Sequence, residues 1–95
     1  MYYLLLYDVV DEFTERRAPY REAHLKLARA ASDNGELLLA GAFSDPADGA
    51  ALVFRAVDQS VAERFATHDP YVTAGLVKHW TVREWTVVVS TPGLR

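Results

Sequence analysis

The runs Leu4-Leu5-Leu6-Tyr7 and Leu37-Leu38-Leu39 place apolar side chains at consecutive positions. In extended backbone, consecutive side chains point to opposite faces of a sheet. Strands made from these runs leave neither face polar, whereas an antiparallel sheet with one wet face alternates apolar and polar residues. Helices within so short a chain cover one face of a sheet. The second face then needs cover from elsewhere, and a second copy of the chain is the simplest source. The competing expectation is that a long last strand swings its C-terminal half over that face.

The order of elements supports a sheet with helices on one side. Residues 2–10, rich in Tyr, Leu and Val and followed by Asp11-Glu12, read as strand one. Tyr20, His24, Leu27 and Ala31 recur at spacings of four, three and four, which stacks them on one helix face opposite a solvated stripe of Glu22, Lys26, Arg29 and Asp33. With Pro19 in the first turn and Asn34-Gly35 as a left-handed C-terminal cap, helix one is expected over about residues 18–34, with a ragged start near Thr14. Residues 36–43 and 50–56 read as strands two and three. The Asp-Pro and Asp-Gly dipeptides of residues 44–49 turn the chain between them. Ser60-Val61-Ala62-Glu63 has the capping-box pattern, so helix two starts there and ends before Pro70. Strand four spans residues 77–89. The resulting βαββαβ order predicts an α+β, ferredoxin-like antiparallel sheet with two helices on one face.

Composition narrows the function. With 95 residues the chain is expected to form a single domain, core residues 2–89 with a tail at 90–95. Cysteine is absent, which removes a thiol nucleophile and disulfides and fits the reducing cytoplasm. The formal charge is -3, and the basic residues of the first helical region are interleaved with acids, which is a solvated helix face with no nucleic-acid footprint. No run is long enough to span a membrane, and the apolar N-terminus lacks the basic leader of a signal peptide. His24, His68 and His79 show no HxH or HExxH spacing, and no GxSxG, Walker or GxGxxG pattern occurs, so neither a metal site nor a cofactor is expected. His68 is expected at the surface and Gly41 at a bulge or close contact.

Chemistry then falls on His24. It lies on the buried stripe, where an imidazole needs a hydrogen-bond partner, and a carboxylate partner orients the ring and stabilises the imidazolium. Asp69, at the exit of helix two, can be that carboxylate. It can equally be an N-cap for a short turn opened by Pro70, and spacing leaves both roles open. Arg21, one turn before His24, is a candidate for an anionic substrate group, Tyr71 for an aromatic pocket wall, and Ser44 for a hydroxyl contact, each with an ordinary structural role as the alternative.

Arg21-x-x-His24-Leu25, Gly35-x-Leu37-Leu38 leading to Ala40-Gly41, and Asp69-Pro70-Tyr71-x-x-Ala74-Gly75-Leu76 together resemble the YciI-like (YCII-related) family over about residues 2–85. The Asp-Pro-aromatic step is similar to its YciI branch. The resemblance implies a dimeric α+β barrel, a homodimer through the helix-free sheet face, and a catalytic His-Asp pair mapping to His24 and Asp69. It implies a small-molecule ligand and a cofactor-independent lyase, isomerase or hydrolase, or else a non-catalytic ligand-binding domain. Pro19 departs from the family pattern at the helix start.

Overall fold

A computed structural model describes residues 1–94; Arg95, the end of the expected tail, lies outside the described residues. Strand β1 (Tyr2–Val9) pairs antiparallel with β3 (Gly49–Arg55) on one side and β4 (Val77–Trp85) on the other, and β2 (Leu37–Ala42) pairs with β3. The four-stranded order is β2-β3-β1-β4. Between the strands lie α1 (Phe13–Arg16), α2 (Arg21–Asp33), α3 (Ser60–His68) and the one-turn α4 (Pro70–Thr73).

Strand β1 shows why both of its faces are apolar. Tyr3, Leu5, Tyr7 and Val9 are buried in the core, and the register sets Tyr3 against Phe54 and Leu5 against Leu52. The alternate residues Leu4 and Leu6 lie on the other face, half-buried, opposite Val53 and Ala51 of β3 and Arg83 and Thr81 of β4. Phe65, Ala62 and Ala66 of α3 join the same core as Leu5 and Phe54, with the Phe54 and Phe65 rings edge to face at 5.4 Å.

Four local expectations are corrected. Helix one is not continuous over residues 18–34: α1 comes first, Pro19 sits in a 3-10 turn (Ala18–Tyr20), and α2 starts at Arg21. The proline lacks the N–H an α-helix interior needs, so the break falls on it. Tyr20 consequently leaves the apolar stripe and is 38% exposed. The capping box does not close: the Asp58 carboxylate accepts from both the Ser60 N–H and hydroxyl, and Glu63 instead accepts from Gln59. Strand four stops at Trp85, not residue 89, and Val88 and Val89 are each 86% exposed, so this tail does not cover the free sheet face. The irregularity of β2 falls between Leu37 and Leu39, not at Gly41, which has open space around it.

The C-terminus of α2 follows the expected cap. Gly35 has φ +85°, and the N–H groups of Gly35 and Glu36 donate back to Ser32 and Ala31, the paired bonds of a Schellman motif. Gly49 serves a different need, close approach. A Cβ there would lie 2.7 Å from the Tyr7 carbonyl oxygen and 3.0 Å from the Phe43 ring. Gly49→Ala is expected to lower unfolding stability by about 1–3 kcal/mol through overpacking. An unchanged denaturation midpoint would contradict that packing.

Candidate active site

The step from α3 to α4 builds the centre of the site. A residue before proline is pushed out of the helical region by the ring, and Asp69 is extended, with φ -68° and ψ 124°. Helix α3 therefore ends, and the Asp69 side chain turns back as the N-cap of α4, accepting from the Tyr71 N–H at 3.0 Å with Pro70 in the first turn. The same oxygen, Oδ1, lies 2.8 Å from His24 Nδ1. The other, Oδ2, accepts from the Tyr7 hydroxyl at 2.7 Å. The cap and the His-Asp pair, alternatives on spacing, are two bonds of one carboxylate.

Asp69 is 0% exposed. A carboxylate taken fully out of water is costly unless its lone pairs are occupied, and here a phenol, an imidazole and a backbone amide occupy them. Tyr7 comes from the inner face of β1, 62 residues from Asp69, and His24 from the first turns of α2, 45 residues away. Burial, then the charge of Asp69, pushes the Tyr7 phenol far above its ordinary value of 10.0, which keeps it a donor. An ionised carboxylate only accepts, so the His24 nitrogen facing it carries the proton, and Nε2 is left with its lone pair in the neutral ring.

Aromatic packing fixes the imidazole plane. Tyr71 stacks on His24 with ring centroids 3.9 Å apart and an interplanar angle of 13°, and Phe13 meets Tyr71 edge to face at 5.3 Å. The His24 side chain keeps 14% exposure. A cavity of about 320 Å³ opens beside it, between α2 and β2, walled by Leu25, Leu37, Leu39, Arg17, Arg21 and Tyr71 among others. That volume is at the small end of ligand pockets.

Of the residues singled out in the sequence, His24, Asp69, Tyr71 and Arg21 come together at this cavity, Asp69 from behind the imidazole. Ser44 does not join them; it is exposed in the β2–β3 loop and is not among the lining residues. Tyr7, Phe13 and Arg17 are site residues that the sequence reading passed over. Only the register of strand one, which makes Tyr7 inward, carried a signal for any of them. His68, at the surface, bonds the Arg64 carbonyl through Nδ1 at 2.8 Å. Among the described residues, no group of three or more His, Cys, Asp or Glu is placed to hold a metal ion.

The model of the YCII-related domain family matches residues 1–86. The chain belongs to that family. Among curated proteins, none matches significantly. A solved structure with the same fold is 5-chloro-2-hydroxyhydroquinone dehydrochlorinase (TftG) from Burkholderia phenoliruptrix AC1100, in complex with 2,5-dihydroxybenzoquinone. It superposes with a TM-score of 0.76 at 19% identity, over 90% of this chain and 94% of the other. The four-stranded antiparallel sheet with its helices is thus an α+β fold shared with that structure. Among the described residues, no helix is long and apolar enough to cross a membrane.

Proposed function

We propose that this YCII-related chain is a cofactor-independent small-molecule enzyme in which His24 moves a proton to or from a substrate bound in the adjoining cavity. The observation that carries the reading is a single one: the His24 imidazole has one nitrogen on a fully buried carboxylate, and the residue lines a cavity. Asp69 holds the ring in one tautomer and stabilises the imidazolium formed when Nε2 takes a proton; the stacked Tyr71 face adds to that stabilisation. Tyr7 acts through Asp69 as a positioning residue. Elimination, isomerisation and hydrolysis all need such a carrier, and the dehydrochlorinase activity of the structural neighbour favours elimination among them.

The reading is tested by following hydrogen–deuterium exchange at carbon in heavy water, with small carbon acids and hydroxylated quinones as probes. The wild-type chain is expected to accelerate exchange on at least one of them, and His24→Ala to lose the acceleration. Acceleration that survives His24→Ala contradicts the reading, and so does its absence across the panel.

We further propose that two copies associate through the helix-free sheet face. Leu4, Leu6 and Val53 lie half-buried there. A wet sheet face has no reason to be this apolar. Sedimentation at micromolar concentration is expected to give a dimer, and Leu4→Arg a monomer with the fold retained. A wild-type chain that sediments only as monomer overturns the proposal.

A further inference from the structure

The charge of the cavity runs against the charge of the chain. Arg17, Arg21 and Arg29 contribute to its wall, and no Asp or Glu does, although the chain carries a formal -3. Arg17 is held in place, half-buried, with its guanidinium carbon 5.5 Å from the Phe13 ring centre. A guanidinium parked on an aromatic face loses little freedom when it binds an anion.

Tyr71 supplies an independent observation. The residue is 4% exposed and lines the same cavity, while its hydroxyl is closed to solvent. Burial raises the phenol above its ordinary value, and the nearby charges of Arg17 and Arg21 oppose that rise. Arg17 and Arg21 thus come together beside Tyr71 on one stretch of the cavity wall. Across the cavity, Leu37 and Leu39 of β2 offer an apolar wall.

We propose that this cavity selects a small organic carboxylate, gripped by the Arg17 and Arg21 guanidinium groups, with its carbon skeleton against β2. The reacting carbon at His24 rests on the proton-transfer reading, but the anion site itself does not. A guanidinium fork matches the two oxygens of a carboxylate, and a neutral amide of the same shape forfeits the charge-assisted part of each bond.

Benzoate and benzamide, titrated separately into the isotope-labelled full chain, test this by NMR. Benzoate is expected to shift the Arg17 and Arg21 Nε–H signals saturably, and benzamide to bind at least about tenfold more weakly. The double variant R17Q/R21Q is expected to lose at least about tenfold in benzoate affinity. Lys26→Gln, exposed on α2 and outside the cavity, is expected to change nothing. Equal binding of the two probes, no binding of benzoate, or full affinity in the double variant overturns the proposal. Failure of the two readings is separable, since His24→Ala is expected to keep the preference for benzoate even where exchange at carbon is lost.

Discussion

Asp69→Ala is expected to destabilise the fold by about 3–5 kcal/mol, because buried polar groups left unsatisfied cost about 1–3 kcal/mol each. Its carboxylate is the acceptor for Tyr7, His24 and the Tyr71 N–H, so the substitution strands three polar groups. Tyr7 is 4% exposed and cannot turn to water without leaving the core. The substitution also removes the N-cap of α4, itself worth roughly 1 kcal/mol. Domains of this size are stable by only about 5–15 kcal/mol, so the variant is expected to lose a large share of its stability. Asp69→Asn separates charge from shape. Its carbonyl oxygen can keep the Tyr71 N–H and His24 bonds, and its amide can donate to the Tyr7 oxygen, which leaves a smaller loss. Denaturant unfolding of both variants checks this: equal losses would contradict a role for the bonds apart from the charge.

His24→Ala is expected to lower turnover by about 10²–10⁴-fold, the usual contribution of a positioned general acid or base. Stability should fall far less than with Asp69→Ala, because the side chain retains some exposure and Asp69 keeps its Tyr7 and Tyr71 donors. Asp69→Asn should lie between wild type and His24→Ala in turnover: the ring stays oriented, but the imidazolium loses its counter-charge. A His24→Ala variant that turns over substrate at the wild-type rate would remove the proton-transfer role, whatever it does to stability.

The fold was legible because its signals are local. The aromatic and aliphatic run of strand one, the Asn34-Gly35 cap and the Asp69-Pro70 step each act within a few residues, and each appears where its chemistry puts it. Pro19 shows the limit of periodicity. The stripe through Tyr20 looked continuous, yet a missing N–H breaks the helix and swings Tyr20 outward. Asp58 displacing the Ser60–Glu63 box is a similar competition, won by a carboxylate two residues upstream.

The site was half legible. His24 drew notice because an imidazole on a buried stripe must be satisfied, and Asp69 because a carboxylate before proline has a defined backbone. Tyr7 did not, since a strand tyrosine reads as core, and its bond to Asp69 spans 62 residues of sequence. Arg17 read as part of a solvated face. Only the break at Pro19 and the packing of Phe13 bring it to the cavity wall. Ser44 was drawn in by its position after a strand, where the loop conformation decides and composition does not.

By holding the proton on Nδ1, Asp69 leaves Nε2 of the neutral His24 ring unprotonated and free to take a proton from substrate. Nitrogen-15 NMR of the His24 ring, recorded at a pH where it is neutral, measures this directly. The Nδ1–H tautomer is the expected result, with the Nε2 signal in the range of a bare ring nitrogen. A neutral ring carrying its proton on Nε2 would contradict the account.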